Sequence, residues 1–509
     1  MKLLFLLPVF CSLASAHNIL VVFPYPSRSH FEVYVPLFEA LANRGHNLTI
    51  ISYRNTPYNS ENIENFWLGQ DEEVNVVSLK GLGETGAFYL GPHMLAMRAE
   101  EVCEYGLQAK GFRRFLEKHQ NTKFDLIMIE HFNIECFLGL VNKYKAPFIG
   151  LSSSVALPWQ GKWFGAQPNP SYVQNVCGGF STPMIFLDRV VNTLLHVYSN
   201  VWYELFIAKP ANEWSKKYID FEAADPHKTS LFLVNTHYTL TGVQPLTPNI
   251  IEVGGLHVQN RKPQKLPAHL ENWITNAKAG VIYFSLGSMI RSDSFPEEQR
   301  NKFLRAFARF PQRILWKWES DGAMLDKPDN VMIDKWMPQY EILCHPNVKL
   351  FLSHGGLLST VEAAHCGKPL VIMPQFGDQR FNAHAMETNG VATLLHLQTA
   401  SEEQIVEAIE KALQPGRMQN AKALMDKFKD RPLSPMDTAI YWVEHIARHK
   451  GGEHMRSRAI DMPFYQVYLL DVIGFLVCII FCAMFALYKT VRLILRLGRA
   501  KKVDKQKYS

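Results

Sequence analysis

Residues 18–23 read Asn-Ile-Leu-Val-Val-Phe, apolar without alternation. A strand with one wet face alternates, so an unbroken run marks a strand covered on both faces, as in a parallel sheet. The signal recurs at 48–52, 124–129 and 147–151, and after a polar, Pro-bearing stretch at 257–265 it restarts at 281–284, 313–318, 331–333, 348–352 and 369–373. Helical patterns lie between these runs. Ser29-x-x-Glu32 is a capping-box spacing that predicts a helix from His30, apolar to Ala42 and stopped by Gly45. Pro36 either kinks that helix or marks where its regular part begins. Pro296, Glu297 and Glu298 open another helix with acids in its first turn. Strands alternating with helices predict doubly wound α/β sheets, and a length of 509 residues predicts at least two large domains. The expected boundaries are 17–256 and 271–450 with a linker at 257–270, the helical stretch 401–448 closing the globular body.

The ends carry different signals. Residues 1–16 combine a basic Lys2, a short apolar run and Ala-Ser-Ala, the form of a cleaved secretory leader. Residues 472–488 hold no charge and are rich in Phe, Ile, Leu and Val, long enough to cross a bilayer after a juxtamembrane segment at 451–471. The tail 489–509 has eight Lys or Arg against one Asp, so the positive-inside rule places it in the cytosol and the body in the lumen. Net charge is +6, so most of it belongs to that tail and the body is near neutral, which argues against a nucleic-acid partner. Lys505 and Lys507, five and three places from the end, resemble a dilysine retrieval signal of the endoplasmic reticulum.

Cys11 leaves with the leader, and Cys478 and Cys482 fall in the span. The remaining Cys103, Cys136, Cys177, Cys344 and Cys366 are odd in number and sparse, which does not predict a disulfide framework. No Cys/His spacing suggests zinc. Asn47-Leu48-Thr49 is a glycosylation sequon beside an expected buried strand, which argues against its use.

Chemistry concentrates between Trp336 and Asn382. Trp336-x-Pro338-Gln339 suits a flat heterocycle; a strand then runs into Ser353-His354-Gly355-Gly356 and a short helix bearing Ser359 and Glu362; a second strand leads to Asp378-Gln379. In open parallel sheets ligands sit at the carboxyl ends of strands and phosphates at helix N-termini. These motifs, in this order, resemble the signature of the UDP-glycosyltransferase family, which includes the UDP-glucuronosyltransferases. The likeness extends over the whole chain and is nearest to insect-type members, through FLSHGG, MPQFGDQ and FLGL.

The resemblance implies a GT-B fold: two Rossmann-like domains facing a cleft, plus one C-terminal transmembrane helix, with the end of the 401–448 segment crossing back onto the N-terminal domain. It implies His30 as general base, a role that suits an imidazole with an ordinary pKa near 6.5. The family's partner Asp falls on Glu130, one methylene longer. Asp125 begins the same strand, about 15–17 Å away at roughly 3.3 Å per residue, and should face the wrong end; His131 and Glu135 are weaker substitutes. On the donor side, Trp336 would stack on uracil, Gln339 and Glu362 would meet the ribose or base edge, and His354, Gly355, Gly356, Ser288 and Ser359 would bind the diphosphate. Glycine at 355 and 356 would let the backbone approach the phosphate. Asp378 and Gln379 would hold sugar hydroxyls, with Phe376 shaping their pocket. Leu358 replaces an Asn common in the family, removing one amide contact to the phosphate.

No Asp-x-Asp occurs, which fits a metal-free mechanism needing no cofactor beyond the UDP-sugar co-substrate. The expected activity is inverting transfer of a hexosyl group, glucose first, to small lipophilic hydroxyl-bearing acceptors. UDP-glucuronic acid and UDP-galactose stay open, as does a homo-oligomer. The acceptor pocket should come mostly from residues 84–184. The expected location is the endoplasmic-reticulum membrane, single-pass with a lumenal body. The competing reading is a non-catalytic sugar-nucleotide or lipid-binding membrane protein of the same fold, motivated by Leu358 and Glu130.

Overall fold

A computed structural model describes residues 16–56, 58, 60–69, 77–79, 90–259, 261–320, 324 and 326–507, with backbone alone for 498–507. The expected leader, Ala16 excepted, lies outside the described residues, as do Tyr508 and Ser509 of the tail. The chain divides into two compact units between Arg456 and Ser457.

In the first unit the strands are β1 (Asn18–Phe23), β2 (Asn47–Ser52), β3 (Ile63–Trp67), β4 (Val77–Ser78), β5 (Leu126–Glu130), β6 (Phe148–Ser152), β7 (Leu231–Val234) and β8 (Ile250–Glu252). They continue with β9 (Val281–Ser285), β10 (Ile290–Arg291), β11 (Arg313–Lys317), β12 (Val331–Asp334), β13 (Val348–Ser353), β14 (Leu370–Ile372) and β15 (Ala392–Leu394). Seven form one sheet in the order β3-β2-β1-β5-β6-β7-β8, and six form another in the order β12-β11-β9-β13-β14-β15. Every pairing in both is parallel. The unbroken apolar runs have the expected reason: β5, β6 and β9 are buried at every position. A short parallel pair, β4 with β10, ties the first lobe to the second.

The winding of each sheet reverses once, between β1 and β5 in the first and between β9 and β13 in the second. Crossovers leave a sheet in opposite directions at such a point, so a crevice opens beyond the strand ends. The turns after β1, β5, β9 and β13 therefore face the cleft. Those turns carry His30, Glu130 with its neighbours, Gly287-Ser288 and His354-Gly355-Gly356.

Several local expectations are corrected. The first helix runs Arg28–Glu32 without a side-chain cap. Ser29 lies inside it, and the Glu32 carboxylate accepts from Arg28 Nε at 2.6 Å instead of closing a capping box. Pro36 sits in the first turn of a separate helix, Val35–Asn43, so it marks a beginning and kinks nothing. The helix Ala268–Thr275 starts inside the segment expected as a linker. The stretch 401–448 is three helices, Glu402–Leu413, Pro415–Lys429 and Pro435–His449, each of the last two opened by its proline. The third packs Ala439, Val443 and Ile446 into the core of the first lobe, and its Glu444 accepts from Arg44 Nε at 2.7 Å.

Cysteine is the clearest correction. Cys103 bonds Cys136 and Cys344 bonds Cys366, with Cα atoms 6.0 and 4.8 Å apart, while Cys177 stays free and buried. Counting could not find these bonds because each joins elements that only tertiary packing brings together. Asn47 is exposed at the start of β2, where its side-chain amide donates to Asn18 Oδ1 at 3.1 Å.

The second unit holds the helices Phe464–Val467 and Leu470–Lys507. The apolar stretch is Leu470–Leu497, 28 residues, whose most apolar 18 residues have a mean hydropathy of 2.7 and are unburied. Val491, Leu493, Ile494 and Leu495 carry it past Lys489 and Arg492, where the charge-free run ends.

Candidate active site

The helix Arg28–Glu32 starts five residues after β1 and brings His30 to the switch point of the first sheet. Glu130 is the last residue of the adjacent β5, so the two side chains converge and His30 Nδ1 lies 2.7 Å from Glu130 Oε1. An ionised Glu130 only accepts, so Nδ1 is the donor, and in the neutral ring that tautomer puts the lone pair on Nε2. The Tyr25 ring stacks on the imidazole at 4.7 Å and Phe132 meets it edge-on at 4.4 Å. Glu130 is fully buried. Burial raises its pKa, and the neighbouring imidazole pulls it back. Its Oε2 makes no hydrogen bond of normal geometry, although Ser153 and the Tyr25 backbone favour its charged form.

The weaker candidates lie elsewhere. Asp125 accepts from the Asn18 amide at 2.9 Å, at the start of β1. His131 is buried with Nε2 3.0 Å from the Thr229 hydroxyl, and burial lowers its pKa to about 3. Glu135 is buried and pushed up to about 7, with Tyr203 as its polar neighbour.

Across the cleft, Asp378 immediately precedes the helix Gln379–Thr388, with no side-chain cap bond. Burial raises its pKa; the Asn382 amide, 3.1 Å away, opposes that rise, as does His30 when its ring carries a charge. The field of His30 thus reaches the lobe that carries Asp378. Asn382 Nδ2 also donates to Gly355 O at 3.0 Å, joining Asp378 to the turn after β13. Asn382 stood at the edge of the motif without an assigned role.

His354 is buried, its pKa is lowered to about 4 by burial, and its Nδ1 has no hydrogen-bond partner. The ring is held between two glycines. A Cβ on Gly287 would lie 2.6 Å from His354 Cε1, and one on Gly356 would lie 2.5 Å from Nε2. Gly355 has φ +86°, and a Cβ there would meet Ile372 at 2.7 Å. The glycines are thus required by the packing of His354 and of this turn, a constraint separate from the phosphate approach expected of them. Ser288 is exposed in the turn after β9, beside Gly287. Lys317 Nζ donates to Gly287 O at 3.0 Å, placing a cation that sequence reasoning missed.

Gln339, Ser359 and Glu362 form one network: Gln339 Nε2 donates to Ser359 Oγ at 3.0 Å and to Glu362 Oε2 at 2.6 Å. Burial pushes Glu362 up to about 7, partly offset by that amide. Gln379 turns its Oε1 to the Gln375 and Phe376 amides at 2.8 and 3.2 Å, which leaves only its Nε2 for a ligand. Leu358 does not fill the role of an amide; it packs against the apolar core of the first lobe with Met436 and Ile440. Trp336 is 56% exposed, and the Arg28 guanidinium lies 4.3 Å above its ring. Arg28 was also missed; its only signal is its place two residues before His30.

The first lobe also carries a partly open pocket with a cavity volume of about 80 Å³, bounded by Val155, Leu157, Val176, Phe232 and Ile250 and, from the other lobe, by Phe381. His30 is not among its walls. Of the segment expected to build the acceptor pocket, residues 84–89 lie outside the described residues.

The profile of the family described as "UDP-glucoronosyl and UDP-glucosyl transferase" matches residues 32–506. The chain is 38% identical over 501 residues to UDP-glycosyltransferase UGT5 of Dactylopius coccus, covering 96% of this chain and 94% of the relative. It is 34% identical over 496 residues to UDP-glucosyltransferase 2 of the same organism, covering 94% and 93%. Among solved structures, CalG4, the calicheamicin glycosyltransferase, shares the fold with a TM-score of 0.54 at 18% identity, over 85% of this chain and 99% of that one. Two doubly wound lobes with a cleft at their switch points, and relatives matched along almost their full length, place this chain in the UDP-glycosyltransferase family.

Proposed function

We propose that the protein moves a hexosyl group, glucose first, from a UDP-sugar to a hydroxyl of small lipophilic acceptors, inverting the anomeric centre. The observation that carries this reading is the His30–Glu130 pair at 2.7 Å, with the Nε2 of His30 left over. His30 Nε2 takes the acceptor proton as the hydroxyl oxygen attacks the anomeric carbon. The bond from that carbon to the diphosphate oxygen breaks on the opposite side, and UDP leaves. Glu130 holds the imidazole in the tautomer that can accept, and stabilises it once charged.

Tyr25 and Phe132 flank the base and suit flat, phenol-like acceptors. Trp336, Gln339, Ser359 and Glu362 would hold the uridine, and Ser288, His354, Gly355 and Gly356 the diphosphate. Asp378 and Gln379 would hold the sugar. The polar groups at these strand ends can stabilise the leaving diphosphate without a metal. The likeness to a relative named as a glucosyltransferase favours glucose as donor. The leader at 1–16, the apolar helix and the basic tail favour the endoplasmic-reticulum membrane with a lumenal body.

The test is a screen of UDP-glucose, UDP-glucuronic acid and UDP-galactose against a panel of phenols, read by the mass of the conjugate. A glucoside of inverted configuration is expected. UDP-sugar binding without any conjugate, unchanged by His30→Ala, would favour a non-catalytic binding protein.

A further inference from the structure

Arg28 and Trp336 meet across the cleft. Arg28 opens the five-residue helix that carries His30, whereas Trp336 follows β12 in the other lobe. The guanidinium carbon lies 4.3 Å from the centre of the indole ring. Its Nε is held by Glu32 Oε1 at 2.6 Å, one helical turn on, so the planar fork is oriented. Trp336 is 56% exposed, so the indole is not a core residue that an arginine happens to cover. The charge of Glu32 reaches the buried Glu362, which bonds Gln339, three residues after Trp336. The face of the helix that carries Arg28 and Glu32 therefore lies over the part of the cleft proposed for the nucleoside. His30, on the same helix, acts on Asp378 at the part proposed for the sugar.

We propose that Arg28 is a donor-binding residue supplied by the acceptor-side lobe: the second leaf of a nucleobase clamp, with the uracil ring entering between guanidinium and indole. This rests on Trp336 being the platform for the base. Planar groups in contact sit about 3.5 Å apart, so a ring between the two leaves needs a gap of about 7 Å. The present 4.3 Å is the gap closed on itself. A cation–π contact at an exposed site is weak, so a base can displace it. A guanidinium stacks on a nucleobase face as it does on indole, and a lysine ammonium, a point charge, does not.

The test measures UDP affinity by calorimetry, and donor KM and kcat, on the full-length protein in detergent. The variants are Arg28→Ala, Arg28→Lys and Trp336→Ala. Arg28→Ala should weaken UDP and raise donor KM by about 5- to 20-fold. Its kcat and acceptor KM should stay within about twofold, because the clamp grips the base equally before and during transfer. Arg28→Lys should recover little of the loss; Arg28→Gln replaces Arg28→Ala if the latter does not fold. Unchanged or tighter UDP binding in Arg28→Ala, with Trp336→Ala weakened, would overturn the clamp and make Arg28 a plug that the base expels. Unchanged UDP binding in Trp336→Ala would instead remove the platform on which the clamp rests.

Discussion

His30 and Glu130 are a hundred positions apart in the chain, yet their side chains meet at 2.7 Å because β1 and β5 are neighbours at the point where the sheet reverses its winding. A glutamate at the end of β5 therefore reaches the imidazole directly.

His30→Ala should lower kcat by about 10²- to 10⁴-fold and leave UDP affinity unchanged, since the proposed role of the imidazole is toward the acceptor proton and not toward UDP. Glu130→Gln keeps the shape but cannot stabilise an imidazolium, so a loss on the order of 10²-fold in kcat is expected. Glu130→Asp withdraws the carboxylate by one methylene and should fall between Glu130→Gln and wild type. Steady-state kinetics with one phenol separates these; equal activity of Glu130→Gln and wild type would remove the pair from the mechanism.

Gly356 has ordinary backbone angles, so Gly356→Ala introduces no backbone strain and tests only the space beside His354. The new methyl would lie 2.5 Å from Nε2, and the ring is buried with Gly287 on its other side. The ring must turn out. Overpacking of this kind costs about 1–3 kcal/mol, which thermal unfolding reads as a lower Tm. Because the displaced ring occupies the expected diphosphate place, UDP affinity should fall at least about tenfold, or about 1.4 kcal/mol. A variant with wild-type UDP affinity would show that His354 is only packing.

Glu362 gives a pH dependence with a definite sign. Its folded pKa, about 7, is raised above the ordinary 4.5. The folded state therefore binds more protons than the unfolded state in that window, and stability is lost as pH rises through it. Glu362→Gln, which still accepts from Gln339, should be more stable than wild type at pH 8 by up to about 3 kcal/mol, converging with it below pH 4.5. Unfolding midpoints at pH 5 and pH 8 check this, and a gap that widens toward low pH would contradict it. Donor KM should rise in the same variant, because the ribose loses a carboxylate.

The parallel strands and the residues of both strand-end turns were legible in the sequence for one physical reason. Strands buried on both faces must be apolar at every position, and a polar group at the end of such a run has nowhere to go except the cleft. Relations between lobes were not legible. Arg28 over Trp336, His30 acting on Asp378, and Leu358 in the first lobe's core arise only when two separately wound sheets close on each other. Ser29-x-x-Glu32 misled because Arg28 competes for the same carboxylate at closer range. The glycines at 355 and 356 were read for what a ligand needs, whereas a histidine and an isoleucine already fill the space beside them.

The two disulfides brace different parts of the cleft, and their removal should separate accordingly. Cys344 ends the helix that begins with Gln339, and Cys366 follows the helix that carries Ser359 and Glu362, so their bond braces the Gln339–Ser359–Glu362 network. Cys103–Cys136 ties the helix Gly91–Gln108 to the turn six residues past Glu130. Their sequence separations, 22 and 33 residues, predict about 3–4 kcal/mol from each closed loop. The double variant Cys344→Ala/Cys366→Ala should lose stability of that order and also bind UDP more weakly. Cys103→Ala/Cys136→Ala should lose similar stability with UDP affinity kept. Cys177, buried with its thiol pushed up to about 12, should resist alkylation in the native protein. Mass mapping without reductant should therefore find Cys103 joined to Cys136, Cys344 joined to Cys366, and Cys177 modified only after unfolding; native alkylation of all five thiols would rule out both bonds.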